Sequence, residues 1–241
     1  MVATRAGVVV SRQTWSPVGR VIHRATLPAR RALLRRHLGR LTLADVEGMP
    51  LVVLPQVFHP GVFRTSGVFV RAMRLVGGIG PATRVLDVGT GTGILGVVAA
   101  SLGAAVTALD VNPDAVRCAR INAMLNRVDD RMNVVEGDLF EGATPLYDLV
   151  LFNPPFFKGP PADALDRAWR SVDVLDRFAA GLAGVLAPSG RALVSASSHA
   201  NEPGFVSTLG GAGLHVRPAH AEDLGDEMVT VFEVRSRVPA P

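Results

Sequence analysis

Residues 85–96 read VLDVGTGTGILG. Val85, Leu86 and Val88, interrupted only by Asp87, read as a short strand. Gly89, Gly91 and Gly93 follow at once. Glycine tolerates positive φ and lets a ligand approach bare backbone, so the stretch reads as strand, tight turn and helix mouth. A dinucleotide fingerprint is G-x-G-x-x-G, and counted from Gly89 its last glycine is replaced by Ile94. The spacing G-x-G-x-G behind Asp87 fits a nucleoside ligand without phosphates better than NAD.

On either side the chain alternates strand and helix. Strands are expected at TRVLDVG, AAVTALDV, RMNVVEGD, YDLVLF, RALVSAS, GLHVRPA and EMVTVFEVRS. Helices are expected over Thr65–Val76, Thr92–Leu102, Pro113–Asn126, residues 162–187 and Glu202–Gly211. The pattern predicts an α/β fold with a doubly wound, mostly parallel seven-stranded sheet, closed by a hairpin that contributes one antiparallel strand. GMPLVVLPQVFHPGVF reads as a strand or hairpin broken by Pro50, Pro55 and Pro60.

The second strand ends in Asp110, where a carboxylate can accept both hydroxyls of a ribose through charge-assisted bonds worth about 1.5–3 kcal/mol each. A strand-end Asp is often a helix cap instead, but Asn112 already stands at that position before Pro113. Asp138, in EGDLF, ends the third strand and reads either as a contact to an adenine amino group or as a turn acid.

The fourth strand runs into DLVLFNPPFF, residues 148–157. Proline gives no N–H to a ladder, so Pro154 and Pro155 stop the pairing and leave Asn153 on stiff backbone at the strand's carboxyl end. Open α/β sheets bind ligands at that edge. The Asn153 side-chain oxygen and the Pro154 carbonyl can accept the two hydrogens of a planar NH2 group, while Phe156 offers a flat face for stacking. Phe157 is either part of that wall or core.

These residues resemble the class I S-adenosylmethionine-dependent methyltransferases, from about Val57 to about Ser195. The resemblance implies S-adenosyl-L-methionine as cofactor, with Asp87 facing its methionine amino group. It implies that Gly89, Gly91 and Gly93 line the methionine and ribose portions, that Asp110 holds the ribose, and that Asp138 lies near the adenine. NPPF looks like the signature of enzymes that methylate planar nitrogens. Among these, the length, VFHP upstream and the DLVLFNPPF strand most resemble the glutamine N5-methyltransferases of translation release factors. A protein glutamine amide is therefore the first expected acceptor, with catalysis by Asn153, Pro154 and Phe156. An adenine N6 or guanine N2 amine of RNA or DNA is the alternative. Two departures bear on the acceptor: GVFRTSGVF has no acid soon after the upstream proline, and RAWRSVDVLDRF replaces a glycine-rich segment.

Composition frames the rest. The 241 residues, 48% hydrophobic, suit one well-packed domain with an appendage. No apolar run reaches membrane-span length, and the start lacks a signal-peptide core, which together predict a cytoplasmic protein. Cys118 is the one cysteine, so an internal disulfide and a thiolate cluster are excluded. Nine arginines (Arg5, Arg12, Arg20, Arg24, Arg30, Arg31, Arg35, Arg36 and Arg40) fall within residues 1–44, which hold no acid. That leaves 16 basic residues against 21 acidic, a net −5, in an otherwise mildly acidic body. The reading places a basic arm at 1–48 and the methyltransferase domain at 49–241. Residues 1–26 are expected to be loosely ordered, and Leu34, Leu38 and Leu41 mark a basic amphipathic helix over Leu27–Leu41. Such an arm suits contact with RNA, a ribosomal surface or an acidic protein, and equally suits a solvated tail or an Arg-rich transit segment. His59, His199, His215 and His220 lack metal-ligand spacing and read as surface or turn residues. Lys158, beside the proposed pocket, is expected to be a solvated loop residue, with a substrate contact as the lesser alternative. Trp169 is expected to pack on a helix, with contact to the substrate wall as the lesser alternative.

Overall fold

A computed structural model of the chain describes residues 2–5, 8–11, 39–143, 146–162 and 166–237. Seven strands form the body of the main sheet: β5 (Arg84–Val88), β6 (Ala105–Asp110), β7 (Met132–Glu136), β8 (Tyr147–Phe152), β11 (Leu186–Ser197), β12 (Leu214–Asp223) and β13 (Met228–Ser236). Their order across the sheet is β7-β6-β5-β8-β11-β13-β12. All neighbours are parallel except β13, which runs antiparallel to both β11 and β12, as the expected terminal hairpin requires.

Alternation along β8 shows why the sheet is buried on both faces. Leu149 and Leu151 enter one core and Val150 and Phe152 the other. Helices α1 (Thr65–Val76), α2 (Ile94–Ser101) and α3 (Pro113–Leu125) pack on the first face, through Phe69, Met73, Val97 and Ala119. Helices α4 (Val174–Val185) and α5 (Glu202–Gly211) cover the second through Phe178, Leu182 and Leu209. Each fully buried Leu or Phe contributes about 1.5–3 kcal/mol, so β8 is a rigid base for whatever follows it.

Strand order reverses at β5, where the chain leaves for β6 and β7 and later returns to β8 on the other side. That is the topological switch point at which open α/β sheets bind ligands. Val88 and Phe152 are register partners there, so Gly89 and Asn153 leave the sheet side by side.

Two further strands, β3 (Thr42–Val46) and β4 (Met49–Val53), make a separate hairpin. Its two turn residues, Glu47 and Gly48, both have positive φ (55° and 84°), as a two-residue hairpin turn demands. The hairpin straddles residue 48, the position expected to divide arm from domain. It docks on α3 through Asn122, fully buried, whose amide accepts from Val52 N (2.7 Å) and donates to Val52 O (2.8 Å) as a neighbouring strand would.

Two expectations are corrected, and a third lies largely outside the described residues. Residues 1–26 are not uniformly loose: β1 (Val2–Arg5) and β2 (Val8–Ser11) pair with each other, and Val9–Ser11 lies parallel to His220–Glu222. The β-branched run Val8–Val10 suits a strand, and β2 covers an otherwise open edge of β12, bringing the sheet to nine strands. The basic helix expected over Leu27–Leu41 lies largely outside the described residues, as do Arg12, Arg20, Arg24, Arg30, Arg31, Arg35, Arg36, Leu34 and Leu38. Leu41 itself is exposed just before β3. Finally, residues 162–187 are not one helix. Among the described residues, Asp166–Ala168 is a 3-10 turn, β10 (Arg170–Ser171) pairs with β9 (Phe157–Lys158), and α4 begins only at Val174. The carbonyls of Trp169 and Ser171 accept from Phe157 N and Gly159 N, which takes them out of any helical ladder. Leu186 and Ala187, the end of the expected helix, lie instead within β11, whose register shifts between Leu186 and Arg191.

Candidate active site

A cavity of about 370 Å³ opens at the carboxyl ends of β5, β6 and β8. The glycine turn forms its floor. Gly91 has φ +56°, and a Cβ added there would meet no atom within 4 Å, so its bare backbone faces open space. Gly89 and Gly91 both line the cavity, with Thr90 and Thr92 between and after them.

Gly93 and Asp87 do not line it. At Gly93 (φ +84°) a Cβ would stand 3.0 Å from both Cα and Cβ of Ala119, so this glycine serves the close approach of the turn to α3. Asp87 lies beneath the turn, 1% exposed. Its Oδ2 accepts from Thr90 Oγ1 (2.6 Å) and Gly96 N (2.9 Å), tying the turn to the first residues of α2. Burial raises its pKa to about 7, partly offset by those two bonds. Both residues therefore hold the turn's shape from below, away from the surface where a methionine portion was expected.

Asp110 does line the cavity. Its Oδ2 accepts from Gly91 N and its Oδ1 from Asn112 N, each at 2.9 Å. Burial pushes its pKa upward against these backbone bonds. Asn112 caps α3, accepting from Asp114 N at 3.0 Å, so Asp110 is released from that duty. Asp138 lies on the same wall, paired at 2.6 Å with Arg177, which also lines the cavity. Asn122 fixes the turn from a third direction, donating to Thr92 O at 2.8 Å while it holds β4.

On the β8 side, Asn153, Pro154, Pro155 and Phe156 line the same cavity as the glycine turn. The Asn153 amide is half-buried and is not lost to core packing. Its Oδ1 accepts from the Ser195 hydroxyl at 2.5 Å. Phe157 is separate from that wall: it is 42% exposed on β9, neither wall nor core.

An aromatic group also meets the cavity. Phe58 stacks on Phe63 with ring centroids 4.7 Å apart, and Trp169 lies 5.4 Å from Phe63. Phe58 and Trp169 line the cavity. Trp169 is not packed on a helix. It sits in the turn before β10, its Nε1 donating to Asp166 Oδ1 at 2.6 Å, while Asp166 Oδ2 accepts from Ala162 N and pairs with Arg170. The spacing of aromatics in VFHPGVF and RAWR was the available signal, but only the fold brings the two segments together. Arg167 and Arg170 also line this side.

The remaining candidates fall outside the site. Lys158 is exposed and 3.9 Å from Asp176. His59 is buried, its Nδ1 accepting from Gly61 N and Val62 N in a turn. His220, read as a surface or turn residue, is buried in β12 with its Nε2 2.8 Å from Glu222 Oε1. Among the described residues, no group of three or more His, Cys, Asp or Glu is arranged to hold a metal. Cys118 is buried, its thiol pKa pushed up to about 11 by burial. Among the described residues, no helix is long and apolar enough to cross a membrane.

A family model, the methyltransferase small domain, matches residues 51–210. The chain belongs to that family. This methyltransferase is 30% identical over 183 residues to a Methanocaldococcus jannaschii protein provisionally named a protein N5-glutamine methyltransferase, covering 72% of this chain and 89% of that one. A ribosomal protein L11 methyltransferase of Carboxydothermus hydrogenoformans is 43% identical over 97 residues, which are 40% of this chain and 31% of that protein. The fold is shared with a T. thermophilus 16S rRNA guanine-N2 methyltransferase solved with S-adenosylmethionine and guanosine. The TM-score there is 0.62 at 22% identity, over 82% of this chain and 50% of that one. It is shared also with the E. cuniculi Mtq2–Trm112 complex, responsible for methylating a translation termination factor. That match has a TM-score of 0.57 at 21% identity, over 75% and 99% of the two chains. The enzyme is a methyltransferase that depends on S-adenosylmethionine.

Proposed function

We infer that this methyltransferase modifies the side-chain amide nitrogen of a glutamine in a protein, a translation factor being the class of acceptor favoured by its relatives' names. One observation carries the reading: Asn153, Pro154 and Phe156 face the same cavity as the Gly89–Gly91 turn.

The residues present fit the cofactor. Gly91 leaves open backbone, Asp110 offers a buried carboxylate to a ribose, and Asp138 stands one strand further along the sheet edge. Bound S-adenosylmethionine supplies an electrophilic methyl group on a sulfonium. The chain's own task is to aim a lone pair at it. An amide nitrogen delocalises that pair into its carbonyl. Asn153 Oδ1 and the Pro154 carbonyl accept its two hydrogens, fix its plane and stabilise the positive charge that grows on nitrogen during transfer. Neither Pro154 nor Pro155 has an N–H to compete for those acceptors. Phe156 and Trp169 supply apolar faces that exclude water and hold a planar group. A strong base is unnecessary, because the nitrogen becomes acidic once alkylated.

The likeness to a guanine-N2 enzyme and the presence of Arg167 and Arg170 on the wall favour a second reading, an exocyclic amine of RNA. Labelled S-adenosylmethionine added to a cell extract separates the two. Protein-bound label recovered as N5-methylglutamine is expected, whereas RNase-sensitive label would overturn the glutamine assignment.

A further inference from the structure

Ser195 follows Val194, the register partner of Phe152, so it stands beside Asn153 where β8 stops. Its exposure is 0%, so its hydroxyl has to find a partner inside the protein. That partner is Asn153 Oδ1, at 2.5 Å. A carbonyl oxygen only accepts, so in this contact the hydroxyl is the donor. Among the described residues, no other side chain holds this amide.

We propose that Ser195 is a positioning residue for methyl transfer, its buried hydroxyl fixing the rotation of the Asn153 amide so that the second lone pair of Oδ1 faces the acceptor nitrogen. The inference rests on the reading of Asn153 as a holder of that nitrogen. Rotation about the last bond of an asparagine is broad and nearly two-fold. Turned half-way round, Asn153 would present its own NH2 to the NH2 of the acceptor, donor against donor. A carbonyl oxygen has two lone pairs, so one bond to Ser195 leaves one for the substrate. The hydroxyl withdraws a little acceptor strength and supplies a fixed direction, and direction governs whether the nitrogen's lone pair meets the methyl carbon.

The test uses the full chain, labelled S-adenosylmethionine and a recombinant translation release factor as acceptor. Ser195→Ala should lower kcat about tenfold or more and leave the cofactor Kd unchanged. Ser195→Cys, with a weaker donor of similar size, should recover part of the loss. The deciding comparison is the double variant: with Asn153 already changed to Ala, adding Ser195→Ala should cost nothing further, because no amide remains to be aimed. Asn153→Ala turning over at the wild-type rate would defeat the functional reading itself. A slow Asn153→Ala beside a fast Ser195→Ala, or losses that multiply, would defeat the positioning role alone. Side-chain amide NMR gives an arm that needs no acceptor. Wild type should show one sharp Asn153 NH2 pair and Ser195→Ala a split or exchange-broadened one; an unchanged pair would overturn the proposal even if the release factor takes no label.

Discussion

The two halves of the cavity are built differently. The half over β5 and β6 is built on backbone: a glycine turn and main-chain N–H groups of Gly91 and Asn112 that hold the strand-end acid Asp110. The half over β8 is made of side chains: an amide bonded by a serine, an indole held by an acid, and Arg167 and Arg170 on the wall. Backbone geometry follows from local sequence rules. Side-chain cross-bonds between distant segments follow from the fold alone. The first half thus suits a constant ligand and the second a particular one.

Substitutions should respect that division. The largest effect is expected from Asn153→Ala, which should lower kcat by about two or more orders of magnitude while calorimetry finds cofactor affinity retained. Asp110→Ala should do the reverse, weakening cofactor binding on the order of a hundredfold with turnover largely kept at saturating donor. If either variant crosses over and damages both steps equally, the halves are not separable. Trp169→Ala should raise the acceptor KM by roughly five- to tenfold without moving the cofactor Kd, which steady-state kinetics with each substrate varied would show.

A separate effect, on stability, concerns Asp87 and needs no substrate. Its folded pKa, about 7, lies above the unfolded value near 3.8, so the folded state binds the extra proton. Wild-type stability should therefore fall as pH rises from about 4 to 7, by at most about 1.4 kcal/mol per pH unit from this group, and level off above. Asp87→Asn keeps an acceptor for Thr90 and Gly96 without the buried charge. Its stability relative to wild type should rise with pH across that window, measured by denaturant melts; a flat difference would show that Asp87 is not protonated on folding.

What was legible from sequence follows the same line. The seven strands and the ligand edge could be read because VLDVG and DLVLF are largely apolar and are closed by glycine or by Asn-Pro-Pro. Asn112 could be read as the cap of α3 because Pro113 follows it. Gly93 and Asp87 were placed on the ligand surface because they share a motif with Gly89 and Gly91; distance to Ala119 and bonds to Thr90 and Gly96 put them beneath it. Trp169 was read as packing on a helix because residues 162–187 carry helix-compatible side chains, whereas Arg170–Ser171 just after it pair with β9. Ser195 carries no motif at all. Its significance comes from standing next to Asn153 across two strands separated by 42 positions in the chain.

The central claim is that two carbonyl oxygens grip both hydrogens of one flat nitrogen. A nitrogen that already bears a methyl has only one hydrogen left and cannot satisfy both. Exhaustive reaction of the labelled acceptor, followed by mass spectrometry of the modified residue, tests this most directly. One methyl on the nitrogen and no more is the predicted result. A second methyl on that same nitrogen would contradict the account.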